Sequence, residues 1–159
     1  MNKTYLLLGS NMGNSRQQLA VAQKNIEKDI GKIIRQSHLY QTAAWGKTDQ
    51  PDFINQVVIV DTRLSAAEAM NAILIIEKNM GRIRTLKNAP RIIDIDILFF
   101  NKETIKTKLL TVPHPLLQQR RFVLVPLNEL SPRFIHPLLN KTVSQLLKDC
   151  PDKLDVKKI

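Results

Sequence analysis

The segment Arg91-Ile92-Ile93-Asp94-Ile95-Asp96-Ile97-Leu98-Phe99-Phe100 would be an unbroken apolar strand but for two aspartates. Its Ile, Leu and Phe content and its length predict a buried strand. Side chains i and i+2 of a strand share one face about 6.5 Å apart, so both carboxylates point the same way. Two like charges that close need positive charge beside them if they are to be buried. One source is a hard divalent cation with oxygen ligands; the other is an internal ion pair with Arg82 or Arg91. The preceding residues, Gly81 to Arg91, carry Arg82, Arg84, Lys87 and Arg91. Carboxylates that hold Mg²⁺ beside arginines that clamp phosphate oxygens are the working parts of phosphoryl transfer.

A chain of 159 residues with 43% hydrophobic content buries one core, and the simplest reading is a single domain over 1–159. Its apolar runs fall well short of the roughly 20 residues that span a bilayer, so no membrane association is expected. Cys150 is the sole cysteine, which excludes an internal disulfide and agrees with a reducing cytoplasm. The net charge of +10 calls for polyanionic company: nucleic acid, an anionic surface or a nucleotide polyphosphate.

Along the chain, Tyr5 to Leu8 reads as a strand closed by the turn formers Gly9-Ser10-Asn11. Asn14 with Gln17 predicts a helix start, and Leu19, Ala22, Ile26 and Ile30 recur at helical spacing until Gly31. Strands follow at about Ile33 to Tyr40 and Phe53 to Thr62. Ser65 with Glu68 opens a second helix, which carries Ala69, Ile73, Ile76 and Met80 and ends at Gly81. The order β-α-β-β-α-β predicts an α+β, ferredoxin-like core: an antiparallel sheet with helices on one face. Residues 101–159 read as extra strands and short helices appended to it.

Two connections, residues 41–52 and 81–91, are long for so small a fold and read as binding loops or lids. Gly46-Lys47-Thr48 in the first is not a phosphate-binding P-loop, because the required earlier glycine is Gln41 and Pro51 with a strand follows instead of a helix. Gly9 and Gly13 likewise lack dinucleotide-binding spacing. On the third strand, Phe53 and Asn55 share a face, a stacking ring beside an amide that both donates and accepts. Pro113-His114-Pro115 holds a histidine rigidly, with Arg120 and Phe122 nearby. His38 and His136 have no such company.

These motifs, taken together, resemble 6-hydroxymethyl-7,8-dihydropterin pyrophosphokinase of folate biosynthesis: Gly9-Ser10-Asn11, Asp49-Gln50-Pro51-Asp52-Phe53-Ile54-Asn55, Gly81-Arg82-Ile83-Arg84, Pro90-Arg91-Ile92-Ile93-Asp94-Ile95-Asp96, Val112-Pro113-His114-Pro115 and Arg120-Arg121-Phe122. The match is collinear from residue 5 to about 132. The resemblance implies transfer of the β,γ-pyrophosphoryl unit of ATP to a reduced pterin, releasing AMP. It implies that Asp94 and Asp96 hold two Mg²⁺ ions, and that Arg82 and Arg91 are the catalytic cations. Thr42, Ala43, Trp45, Phe53, Asn55 and Phe122 would bind the pterin. Glu77, Arg82, Arg84, Arg91, Ile97, Thr111, His114 and Arg120 would lie on the ATP side. ATP and the reduced pterin are the implied partners of a monomeric, cytoplasmic enzyme.

The chain departs from the family pattern in places. Asn88-Ala89 stands where the second loop commonly has Trp-Gly, so an aromatic lid contact is lost; Ala43 and Ala44 replace frequent prolines, and Leu109 replaces an arginine of some relatives. Ferredoxin-like sheets also serve as RNA-binding modules, but those stack bases on exposed aromatics, and this chain is 5% aromatic. Another Mg²⁺-dependent transferase with a different acceptor would share the carboxylate pair and differ on the pterin side.

Overall fold

In a computed structural model, which describes residues 1–44, 49–83 and 90–159, two helices and a split sheet follow the predicted order. Strand β1 (Asn2–Ser10) leads to helix α1 (Ser15–Asp29), capped where the Asn14 side chain accepts from Gln17 N. Strands β2 (Gly31–Gln36), β3 (Tyr40–Thr42) and β4 (Phe53–Thr62) come next. Helix α2 (Ala66–Asn79) opens with the full Ser65/Glu68 capping box and leads through Gly81, at φ +94, toward β5 (Asp94–Phe100). Only glycine adopts that left-handed turn without strain.

The sheet runs β5-β1-β4, with β2 and β3 both paired to β4, and every pairing among these is antiparallel. This is the ferredoxin-like order. Leu6 and Leu8 of β1 pack with Leu19, Ala22, Ile26, Ala69, Ile73 and Ile76, so α1 and α2 share one face. Fully burying a side chain of this size contributes about 1.5–3 kcal/mol.

The opposite face is covered too, which the expected one-sided arrangement did not include. Tyr5 and Leu7 point that way, where they pack with Val123, Leu124 and Leu127 of helix α3 (Arg121–Leu130) and Val143 and Leu146 of α4 (Val143–Lys148). The strand pair β6 (Ile105–Lys106) and β7 (Thr111–Val112) precedes α3 at the β5 side, and the Val112–Pro113 peptide is cis. A last strand, β8 (Val156–Lys158), pairs with β3.

Three boundaries differ from expectation for local reasons. The single strand expected over Ile33 to Tyr40 is broken at Ser37, whose N–H donates to Val57 O while its hydroxyl accepts from Val57 N. That side-chain bond substitutes for a ladder bond and shifts the register, giving β2 and β3. Gly31 opens β2 instead of ending α1, whose C-cap is Ile30. Gly9 and Ser10 complete β1 and are not a turn.

Strand β3 is held from above by α3. Glu129 accepts from Tyr40 OH (2.6 Å) and from His38 N (3.1 Å), and pairs with His38 Nδ1 (2.8 Å). Burial opposes ionisation of Glu129, but the bonds from Tyr40 and His38 outweigh it and hold its pKa below the ordinary value. Burial and then Glu129 push the Tyr40 phenol up to about 12. A carboxylate with a depressed folded pKa stabilises the fold above its unfolded pKa, and that contribution is lost as the pH falls through the folded value. Glu129→Gln should therefore cost about 1 kcal/mol at pH 7, and the gap to wild type should close below the ordinary glutamate range. Thermal unfolding of both proteins across pH 3 to pH 8, on the order of a 2–4 °C difference at neutral pH, checks this.

Candidate active site

Beyond the reach of α3 and α4, the second face of the sheet opens into a cleft with about 540 Å³ of empty space, open to solvent. Strand alternation selects what lines it. Leu7 and Gly9 of β1 face it, beside their cross-strand partners: Asp96 opposite Leu7, and Asp94 and Asn55 on either side of Gly9. Phe53 of β4 and its partner Thr42 of β3, then Ala43, form one wall. Arg91, Arg120 and Phe122 complete the rim.

Of the residues singled out from the sequence, the structure thus brings together Thr42, Ala43, Phe53, Asn55, Arg91, Asp94, Asp96, Arg120 and Phe122. Trp45 and Arg84 lie outside the described residues, as do Asn88 and Ala89. The side chain of Ile97 points to the opposite face, into the core under α1 and α2, so only its main chain is on offer to the cleft. Thr111 is exposed on β7, and neither it nor His114 lines the cleft. His114 N–H donates to Leu98 O at the edge of β5, and its Nδ1 accepts from Leu116 N. Burial, reinforced by Arg120, drives its pKa down to about 4, so the ring is neutral near pH 7 with Nε2 as the donor.

Electrostatics organise the acid end. Arg82, thrown back from Gly81, donates from one nitrogen to Glu77 Oε2 (2.6 Å) and Asp94 Oδ1 (2.7 Å). Arg91 takes the other Asp94 oxygen at 2.9 Å. The ion pair weighed for Asp94 is therefore present. Burial alone would weaken the charge on Arg82, but Asp94 and Glu77 raise its pKa above that of a free guanidinium. Asp96 is different. Burial, then Asp94 and Glu77, push its carboxyl well above the usual range, against the pull of Arg120 and Arg82. Arg120 is itself lowered by burial, against the attraction of Asp96 and Asp94.

Glu77 is buried on α2, where its Oε2 also accepts from Ile95 N at 2.8 Å. That geometry makes it a strut: it fixes β5 between the two aspartates and seats Arg82. Glu77→Ala should destabilise the protein by about 3 kcal/mol, because a buried N–H and a guanidinium both lose their acceptor. Glu77→Gln, which keeps an acceptor for Ile95 N, should cost clearly less in urea denaturation.

Two contributors were missed from the sequence. A Cβ on Gly9 would sit 2.7 Å from Asn55 Oδ1, so glycine is what lets the Asn55 amide lie across the strand pair. Asn11 is buried and ties both long loops together: its Nδ2 donates to Gln50 Oε1 (2.7 Å) and Pro51 O (3.0 Å), and its Oδ1 accepts from Arg91 N (2.9 Å). The Gly-Ser-Asn motif was the available signal; its link to residue 91 is not visible in sequence order.

Two carboxylates on one face, one with its oxygens taken by arginines and the other disfavoured as an anion, suit Mg²⁺. That ion keeps several waters and takes only one or two protein carboxylates beside substrate phosphates. Among the described residues no cluster of three or more acidic, His or Cys ligands exists, so a closed all-protein site is not what these residues build.

The model of the family 7,8-dihydro-6-hydroxymethylpterin-pyrophosphokinase matches residues 5–132. The chain belongs to that family. It is 40% identical over 145 residues to the 2-amino-4-hydroxy-6-hydroxymethyldihydropteridine pyrophosphokinase of Aquifex aeolicus, covering 91% of this chain and 90% of that protein. It is 38% identical over 151 residues to Folic acid synthesis protein FOL1 of Dictyostelium discoideum, covering 95% of this chain but only 23% of that longer protein. A Plasmodium falciparum HPPK-DHPS crystal structure shares the fold at a TM-score of 0.77 and 22% identity, over 93% of this chain and 45% of that one.

Proposed function

We propose that the chain transfers the β,γ-pyrophosphoryl unit of ATP to the hydroxymethyl group of 6-hydroxymethyl-7,8-dihydropterin. The oxygen of that group attacks the β-phosphorus, the bond from the β-phosphorus to the oxygen bridging the α-phosphate breaks, AMP leaves, and the hydroxyl proton is released. The observation that carries this reading is the union of two chemistries in one cleft: an aromatic and amide end beside an acid and guanidinium end.

At the first end, Phe53 and Phe122 offer ring faces for a flat heterocycle, and Thr42, Ala43 and Asn55 offer polar edges. Among the described residues the buried Asn55 Nδ2 has no hydrogen-bond partner, a donor that a pterin carbonyl or ring nitrogen would satisfy. Guanidiniums already lie near both rings: Arg91 is 5.7 Å from the Phe53 centroid and Arg120 is 5.7 Å from that of Phe122. Both are thus positioned to reach phosphate oxygens next to a stacked ring.

At the second end, Arg82, Arg91 and Arg120 neutralise charge that develops on the phosphoryl oxygens, and Arg82 is preorganised by Glu77. Asp94 and Asp96 would hold two Mg²⁺ ions, which supply charge stabilisation and orientation for the phosphates. The ATP side also includes His114, as a neutral donor, and the main chain of Ile97; we assign Thr111 and Arg84 to the same side and Trp45 to the pterin. Positioning and electrostatics, more than base catalysis, account for the rate.

The same reading carries a monomeric cytoplasmic enzyme of one domain, with small-molecule partners and no nucleic acid or membrane. A sheet covered by helices on both faces argues against RNA stacking on its strands. No helix among the described residues is long and apolar enough to cross a membrane.

Purified protein given ATP, Mg²⁺ and the reduced pterin should release AMP in a pterin-dependent manner. ADP as the product would refute pyrophosphoryl transfer. Asp96→Ala should lose at least about 10³-fold in kcat with no loss of thermal stability, because it removes a ligand but little packing. Full activity in that variant would sink the metal assignment.

A further inference from the structure

The residues beyond the family match, from 133 on, include a tail that touches both walls of the cleft. Helix α3, which carries Phe122 in its first turn, has no cap from its own N-cap side chain, Arg120. A remote residue supplies it: Asp152 Oδ2 accepts from Arg121 N at 3.0 Å, while Asp152 Oδ1 accepts from Leu154 N at 2.9 Å and turns the chain. Four residues on, β8 pairs along β3, with Val156 opposite Thr42. Asp155 O accepts from Thr42 Oγ1 at 3.2 Å, and Ile159 N donates to Leu39 O. One short segment is thus hydrogen-bonded at one end to the residue before Phe122 and at the other to Thr42.

We infer that residues 152–158 form a strap that sets the spacing between the Phe122 and Thr42 walls, with Asp152 as a positioning residue for the acceptor substrate. This rests on reading that end of the cleft as the pterin site. The effect is selective for that end. Arg120 N is held by Leu117 O in the 3-10 turn Leu117–Gln119, independently of Asp152. Asp94 and Asp96 lie on β5 and Arg82 follows α2; among the described residues the strap's hydrogen bonds run to β3 and α3 and not to either of these. Removing the cap frays α3 from Arg121 onward; unpairing β8 frees β3. Either change loosens a wall without disturbing the phosphate end.

The test uses two variants of the full chain. Asp152→Ala deletes the cap. Lys157→Pro breaks the β8–β3 ladder: Ile159 and Leu39 form a hydrogen-bonded pair, so by antiparallel alternation Lys157 and Gln41 form the next. Affinities for the reduced pterin, in the presence of a non-hydrolysable ATP analogue, and for the analogue alone are measured calorimetrically, alongside hydrogen exchange of residues 39–43 and 121–123. The expected result is a roughly tenfold weaker pterin affinity in each variant, analogue affinity within about twofold of wild type, and faster exchange at both segments. Unchanged pterin affinity in folded variants, or a parallel loss of both ligands that tracks a lower melting temperature, would overturn the strap. Wild-type protein that binds the analogue but no pterin would instead overturn the substrate reading, and this assignment with it.

Discussion

The Arg82 guanidinium between Glu77 and Asp94 is the contact on which the acid end of the cleft depends. Arg82 and Glu77 are nearly inaccessible, with side-chain exposures of 12% and 3%. Water therefore screens their pairing weakly, and removing one partner strands the other. Through Glu77 the same cluster accepts from the main chain of Ile95, so the charge network and the register of β5 are one construction. The strand can present Asp94 and Asp96 outward because the residue between them is fastened inward.

That arrangement explains how an acidic pair is tolerated in an otherwise apolar strand. Asp94 is satisfied twice, by Arg82 and by Arg91, and Arg91 is held in turn by Asn11, just after β1, through its main chain. Among the described residues Asp96 has no comparable bond; it pairs across the sheet with Leu7 and feels the charges of Asp94 and of Glu77 on α2, against the weaker pull of Arg120 and Arg82. The difference between two residues of the same type, two positions apart, is produced by burial of Asp96 and by the guanidiniums that Arg82 and Arg91 bring to Asp94. One carboxylate is ion-paired twice; the other is buried with like charges nearby that outweigh its cations.

Much of this was legible in order along the chain, because strand alternation is a local rule. It put Asp94 with Asp96 and Phe53 with Asn55 on shared faces, and capping residues marked where α1 and α2 begin. Alternation also assigns the Ile97 side chain to the opposite face, which leaves its main chain for the nucleotide side. What escaped were contacts between distant segments that no periodicity encodes. Asp152 capping α3, Glu129 gripping Tyr40 and Ser37 breaking a strand by bonding to Val57 all join residues 20 or more apart in sequence. The second helical layer was harder to place: α3 has an apolar stripe of Val123, Leu124, Leu127 and Leu130 but contains Pro126, and α4 is only six residues long, so nothing local says that they cover the other face of the sheet.

Charge balance gives a last constraint on what fits the cleft. Among the described residues Asp94, Asp96 and Glu77 face Arg82, Arg91 and Arg120, three acids against three guanidiniums, although the whole chain carries +10. The positive surplus of the chain steers anions at long range without selecting them. A polyphosphate entering this cluster adds several negative charges beside carboxylates that already engage its guanidiniums. Arg82 and Arg91 offset part of that charge while they are shared with Asp94 and Glu77. A cleft of this composition is suited to a polyanion that arrives with its own cations, and it disfavours the same polyanion alone.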